Sequence, residues 1–437
     1  MTFKEGLIKS RSHIVFLLSL AITVTVIFFL NRWEVDNMAS AGNTNTVSLN
    51  SPGPPKKLSK EEMEYALIAW KYFENNYQED TGMVNSVDNY TAAAMWDTAG
   101  ALLATIAARE LTLIDDNNFN KRMAKMLESL EKMPLYDNKL PNLSYNTKNL
   151  SMVDYTNKPT EKGLGWSAKD IGRMLVPLQI ICWNYPQHTE SVQKILVKWK
   201  LQNALKDGIM QHGAPVGNRT ELYQEIGLGY EQYGAKSYLL FGLDAMKAAR
   251  YDLWMVNVDI YGVKVPCDKR LPKDYGGTLN FTLSEPYILM GLEFGWDSQS
   301  LDMAMKLLKV QEERFKKEGK LTAATEDQLN QKPYFCYYAI YCDGKTWTCF
   351  DHKKEVGNQF RTLSTKASFA WYSLFPGDYT KKLMDEVKKL NDPKKGWYAG
   401  KYEDSGKVNN CIPSNTNAVI LESLFYKEKG KMLNFYK

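Results

Sequence analysis

Histidine is scarce in this 437-residue chain, which holds only His13, His188, His212 and His352. No H-E-x-x-H pair, G-x-S-x-G elbow or P-loop occurs. The sequence support for a metalloprotease, an α/β-hydrolase or a P-loop ATPase is therefore missing. The six cysteines (Cys182, Cys267, Cys336, Cys342, Cys349, Cys411) make no C-x-x-C pair, so a zinc knuckle is not expected. Neither a metal nor a cofactor is expected. An excess of one charge is also lacking: 55 Lys+Arg stand against 50 Asp+Glu, a net +5, too mild and too evenly spread for a nucleic-acid partner. Cys182 lies in the apolar run LVPLQIICW and reads as a buried thiol. The other five fall in loop-like sequence, where an oxidising compartment permits one or two disulfides of unassigned connectivity.

Long hydrophobic runs are absent except at one place. Ile14–Leu30 carries 17 residues without a charge, just enough to cross a bilayer. Lys4, Lys9 and Arg11 precede it and Glu34 and Asp36 follow, so residues 1–13 are expected in the cytoplasm and the rest outside. The Ala39-Ser-Ala41 stretch resembles a signal-peptidase site but lies far from a rather long run, which favours an uncleaved anchor at 14–30. Residues 31–58, with the knot Pro52-Gly-Pro-Pro55, read as a tether ahead of a main domain over 59–437. The expected location is a bacterial cell membrane, single-pass, with that domain periplasmic or extracellular.

What the chain has in plenty is aromatic residues, 26 Tyr, 17 Phe and 11 Trp, and helical periodicity. Ser59-Lys-Glu-Glu62 and Ser167-Ala-Lys-Asp170 are capping boxes. Apolar-rich helices are expected over 94–110, 166–183, 231–248, 284–295, 364–375 and 414–427. Amphipathic ones alternate with them, near 60–76, 118–132, 191–205, 297–318 and 379–390. Inner helices wrapped by an outer ring, with no βαβ alternation, predict a mainly α (α/α)6 toroid. An α-solenoid is the rival, but no fixed-period repeat is present. The alternating run Trp254–Val265 reads as a small β-hairpin insertion. Pro134–Gly165 and Leu321–Phe360 read as long, irregular, aromatic-rich loops, a length usually reserved for function.

Glycoside hydrolysis needs little beyond two carboxyl groups, and carboxylates among aromatics are what this chain offers. The stretch Leu222–Tyr238 gathers Glu225, Glu231 and four tyrosines around Gly227-Leu-Gly229, just ahead of a helix. Glu231 is the expected general acid, with Glu326 or Asp327 as base through water and Asp97 or Glu285 as alternatives. Each has a plainer reading: Glu231 and Glu285 suit a helix first turn for dipole reasons, and Asp97 sits where a structural ion pair is common. Asp170 reads as the reciprocal cap of Ser167, and Glu403-Asp404 as a solvated turn. Trp96, Trp166, Arg173, Tyr223, Tyr230, Tyr287, Trp397 and Tyr398 are candidates to line sugar subsites.

The segments MVDYTNKPTEKGLGWSAKDIGRML, YQEIGLGYEQYGAKSY, SEPYILMGLEFGW, TAATEDQ, LSTKASFAWYSLFP and GWYAGKYEDSGKVNNCIPSNTNAVILESLFYK resemble the blocks of a bacterial domain-of-unknown-function family, number 3131. The resemblance spans roughly Lys60–Lys427. It implies an (α/α)6-type barrel related to glucoamylase-like and β-1,2-glucanase families, but no reaction and no catalytic assignment. The cysteines clustered at 336–349 are not explained by it. The expected function is a membrane-tethered glycoside hydrolase acting on a β-glucan or exopolysaccharide, with an oligo- or polysaccharide as partner. Two rivals remain: a polysaccharide lyase using Tyr230 and Arg173, and a glycan-binding protein without turnover.

Overall fold

The computed structural model describes residues 55–436 other than 276, 352 and 353. The expected cytoplasmic start, membrane segment and most of the tether lie outside the described residues. Among the described residues, no helix is long and apolar enough to cross a membrane. Eleven α-helices are described: α1 (Lys60–Asn75), α2 (Met95–Glu110), α3 (Asp116–Lys132), α4 (Ala168–Asn184), α5 (Thr189–Lys198), α6 (Tyr230–Leu240), α7 (Glu285–Leu289), α8 (Ser298–Glu318), α9 (Thr365–Leu374), α10 (Asp378–Val387) and α11 (Ser414–Lys429).

Helices α2, α4, α6, α7, α9 and α11 pack in that order as a ring, and α11 closes it against α2. Their composition explains why they are inside. Helix α2, MWDTAGALLATIAARE, is apolar or small on nearly every side and buries 13 of its 16 residues, as a helix with no solvent face must. Helix α3 instead buries one stripe, including Phe119, Met123, Met126 and Leu130, and lies outside with α1, α5, α8 and α10. Ring helices approach closely through glycine: a Cβ at Gly172 of α4 would lie 2.7 Å from the Gly234 Cα of α6. The capping box of α1 forms as expected, with Ser59 Oγ accepting from the Glu62 N–H at 3.2 Å and Glu62 Oε2 from the Ser59 N–H at 2.8 Å.

The toroid departs from twelve helices at one place. The helix expected to run to about residue 248 ends at Leu240, and residues 241–254 form turns. Gly242 adopts φ +73° just beyond the end, a left-handed stop that glycine takes at little cost. Among the described residues, ring helix α6 therefore has no outer helix after it. The outer helix expected over 191–205 likewise stops at Lys198, and a 3₁₀ turn follows over Leu201–Ala204.

The long loops contain more strand than their sequences suggest. The expected hairpin is there, Met255–Ile260 against Val263–Asp268. A second hairpin pairs Ile209–Val216 with Arg219–Gln224. The region read as irregular over 321–360 holds a three-stranded antiparallel sheet, Glu326–Gln328, Phe335–Cys342 and Lys345–Phe350. These loops all precede ring helices, so they gather at the end of the barrel where the ring helices begin.

Candidate active site

Every ring helix places a polar or charged side chain in its first turn at this mouth: Asp97, Asp170, Glu231, Glu285, Lys366 and Asn415. The strand Glu326–Gln328 adds two carboxyl groups. Glu285 is the hub. It is fully buried, and its Oε2 pairs with Lys366 Nζ at 2.8 Å and accepts from Thr325 Oγ1 at 2.8 Å. Its Oε1 accepts from Asn415 Nδ2 at 2.9 Å. The hub thereby ties α7, α9, α11 and the loop strand together.

Glu326 sits beside this hub. Its Oε2 accepts a short hydrogen bond from the Tyr230 hydroxyl, and among the described residues no donor reaches its Oε1. The residue keeps 8% of its surface exposed. Burial, and then the Glu285 charge, push its carboxyl up to about 7, against the opposing pull of Lys366, Tyr230 and Arg173. It is thus a carboxylic acid able to carry a proton near neutrality. Asp327 takes a 3.1 Å bond from Ser364 Oγ, and burial raises it well above the usual range. Its Oδ2 is buried without a partner.

Asp97 is also 8% exposed and accepts from the Ala94 N–H at 3.3 Å. Burial pushes it up to about 6, opposed by that bond and by the charges of Arg173 and Lys366. Asp170 forms only half of the expected capping box: Ser167 Oγ accepts from its N–H at 3.1 Å. The Ser167 hydroxyl lies between two carboxylate acceptors, Glu225 Oε1 at 2.6 Å and Asp170 Oδ1 at 3.1 Å. The Asp170 carboxyl is pushed up to about 7 by burial and by the neighbouring Glu225 charge. The Tyr337 hydroxyl is raised by burial and by the nearby charges of Glu326 and Asp170, and the Tyr155 hydroxyl by burial and by those of Asp170 and Glu225. Trp96 meets Tyr230 edge to face, with ring centres 5.7 Å apart, and Lys169 Nζ lies 5.7 Å above the Tyr230 ring. The result is a mouth of carboxyl groups walled by aromatic rings, the composition that sugar faces and hydroxyls require.

Several expected site residues are clamped by protein partners or lie away from the mouth. Glu231 has no exposed surface. Both its oxygens are held by Arg270, which also grips Asp268, and the Gly227 N–H donates to it at 3.2 Å. Such a clamp fixes the 226–229 loop to the 255–268 hairpin and leaves no oxygen to protonate a substrate. Arg173 is fully buried below the mouth, beside Glu422 at 3.3 Å and Glu293 at 3.7 Å, with Trp96 stacked over it at 4.6 Å. It cannot meet a uronate there, so Arg173 is not the cation of the lyase reading. Trp166 packs on Gly213 and donates to the Gln211 carbonyl at 3.0 Å. Trp397 donates to the Tyr65 carbonyl at 3.1 Å. Tyr287 is buried beneath Gly229. None of these three offers a face to a ligand. Tyr223 is exposed on its hairpin and bonds Glu221. Tyr398 lines a separate depression of about 280 Å³ with Asp88, Lys395 and Cys411. Glu403 is not solvated, because Arg314 and Tyr338 hold its buried carboxylate. Lys366, Lys169, Tyr155 and Tyr337 were not among the expected site residues.

With this geometry in hand, the comparisons with known proteins can be weighed. The sequence model of the family described as "Protein of unknown function (DUF3131)" matches residues 64–430. The chain belongs to the DUF3131 family. The fold is similar to that of an endo-β-1,2-glucanase from Chitinophaga pinensis, seen with sophorotriose and glucose, at TM-score 0.57 and 12% identity over 86% of this chain and 94% of that one. An endo-β-1,2-glucanase from Talaromyces funiculosus, seen with sophorose, matches at TM-score 0.58 and 11% identity over 86% and 84%. A glucoamylase-like protein from Bacteroides caccae matches at TM-score 0.58 and 11% identity over 85% and 95%. No curated protein sequence matches. The DUF3131 chain therefore shares an (α/α)-barrel architecture with carbohydrate-active enzymes.

Proposed function

We propose that this DUF3131 protein is a glycoside hydrolase acting on a β-linked glucan, with Glu326 as general acid. The observation that carries the reading is the state of Glu326: a carboxyl group held by one tyrosine hydroxyl, raised to about 7 by burial and Glu285, with one oxygen free of protein donors. Asp97, raised only to about 6, is the partner that ionises first and serves as base through water. Trp96, Tyr155, Tyr230 and Tyr337 supply the walls for sugar rings. The likeness of the fold to two endo-β-1,2-glucanases makes a β-1,2-glucan the first substrate to try. The apolar run at 14–30 would anchor the protein in a bacterial membrane, with the barrel on the outer side.

The test is incubation with a panel of β-glucans and exopolysaccharides, following reducing ends and ultraviolet absorbance together. Reducing ends without absorbance, abolished in Glu326→Gln, are expected. Turnover that survives intact in Glu326→Gln would remove Glu326 from the mechanism. A glycan that raises the Tm yet is never cut would make the barrel a binding module.

A further inference from the structure

The barrel has a second end, opposite the mouth, and the described chain begins there. Ring helix α11 runs from Ser414 at the mouth to Lys429. Lys427 lies twelve residues beyond Asn415, hence about 18 Å further along the axis at 1.5 Å per residue. The first described residues are fastened at that far end. The Lys56 N–H donates to the Lys427 carbonyl at 2.9 Å, the Leu58 N–H donates to Glu428 Oε2 at 3.0 Å, and a Cβ on Gly430 would lie 3.7 Å from Pro55 Cγ. The last residues cross the same base. The Met432 and Leu433 N–H groups donate to the Leu292 and Glu293 carbonyls at 3.0 and 2.8 Å, and Asn184 Nδ2 donates to the Asn434 carbonyl at 2.9 Å. That path sets Phe435 against Trp183 at the end of α4, with ring centres 5.0 Å apart, and leaves Phe435 64% exposed.

The surface around this junction is basic. Lys56, Lys57, Lys429 and Lys431 are exposed, while the acids beside them are engaged: Glu62 pairs with Lys427, and Glu428 holds the Leu58 N–H. Lys429 suits a helix C-terminus for dipole reasons alone. Lys56, Lys57 and Lys431 lie outside any helix, and no ion pair among the described residues involves them. Unpaired lysines beside an exposed aromatic ring are the composition that settles at an anionic lipid–water interface.

We propose that this base rests on an anionic phospholipid surface, with Lys56, Lys57, Lys429 and Lys431 at the headgroup phosphates and Phe435 beside them, so that the mouth opens away from the membrane. The orientation rests on the reading of residues 14–30 as a membrane anchor; the lipid contact by itself does not. A tether alone would leave the barrel free to turn, since the 24 residues 31–54 span up to about 80 Å when extended. Each lysine held near an anionic surface strengthens the contact about fivefold, and the four together fix which end faces the lipid. A mouth directed outward admits a polymeric glycan, whereas a mouth pressed on headgroups would not.

The experiment reconstitutes the full chain with vesicles of phosphatidylcholine, alone or with one-third phosphatidylglycerol, and follows amide hydrogen exchange by mass spectrometry. Exchange over 55–60 and 427–436 should be slower by about fivefold or more in the anionic vesicles, with no change in the mouth loops 142–160 and 321–330. Salt at about 1 M, which shortens the screening length to about 3 Å, should remove the slowing. So should Lys56→Glu/Lys57→Glu/Lys431→Glu, and Phe435→Ser should weaken it. Lys407→Glu, in the loop that leads into α11 at the mouth, should leave it intact. Equal exchange at the base in both vesicles, slowing that survives the triple variant, or slowing at the mouth loops instead overturns the proposal. The anchor is read separately, from flotation with phosphatidylcholine alone. Flotation only with phosphatidylglycerol would sink the anchor and keep the lipid contact, and flotation with neither would sink both.

Discussion

Two groups of carboxyl side chains occupy the barrel at different depths, and they are built on opposite principles. Glu326, Asp97 and Asp170 stand at the mouth. Glu422 lies seven residues beyond Asn415 on α11, hence about 10 Å deeper at 1.5 Å per residue, and Glu293 lies in the π-helical turn Met290–Phe294 that continues α7. The deep pair has no exposure and flanks Arg173. Burial raises both carboxyls, and the Glu293 group takes the Tyr233 hydroxyl. The mouth acids, each with one donor like the deep pair, keep some surface. Burial of a charge therefore does not mark the site. A raised carboxyl group with an oxygen left unclaimed, next to solvent, does.

The sharpest break of that comparison is Glu326→Gln, expected to lower kcat roughly a hundred- to ten-thousandfold while glycan still binds, as loss of a general acid does. Steady-state kinetics with calorimetric binding checks it. Arg173→Met tests the deep layer. It strands two carboxyl groups in a dry core and should cost about 3–5 kcal/mol of stability, read from denaturant midpoints; an unchanged midpoint would mean that the layer is neutral. Stability against pH separates the two layers further. Asp97, Asp170 and Glu326 bind protons more tightly folded than unfolded, with folded values near 6, 7 and 7. Their stabilising contribution is thus fully present below the ordinary carboxyl range and is lost as pH climbs through about 7. Glu326→Gln should flatten this decline and raise stability at pH 8 by about 1–3 kcal/mol. A steeper decline would contradict the assignment.

Glu231→Gln should cost about 1–3 kcal/mol, since Arg270 keeps Asp268 as partner, and leave kcat within severalfold at a temperature where the variant is folded. A collapse of kcat in a folded Glu231→Gln protein would return Glu231 to the mechanism. The smallest effect is expected at the rim. Tyr155, 68% exposed and near enough to Asp170 for its charge to act on the hydroxyl, should on change to Ala raise KM about fivefold with little change in kcat, the scale of one lost aromatic face. If kcat falls instead, Tyr155 touches the reacting atoms.

The alternation of apolar and amphipathic helices, and with it the barrel, was legible in residues alone, because a helix such as α2 that is apolar all round can only be enclosed. The capping box at Ser59, the 255–268 hairpin and the singling out of Glu326 and Asp327, which the structure sets beside Glu285, were legible too, the last because adjacent carboxylates in an uncharged loop have no local excuse. Lys366 could have been noticed on the same ground, as a lone cation in the apolar helix TKASFAWYSL. The short strands of the loops were not legible, since runs such as FCYYAIYC are strands only through the partners that reach them. Nor could local sequence separate Glu231 from Glu326. Both lie among tyrosines, and which of them is clamped depends on Arg270, 39 residues from Glu231, while which is poised depends on Glu285, Lys366 and Tyr230, brought from three different helices. The chain carries its helices in local periodicity, but charge state is a property of what surrounds a group, and only the closed ring decides that.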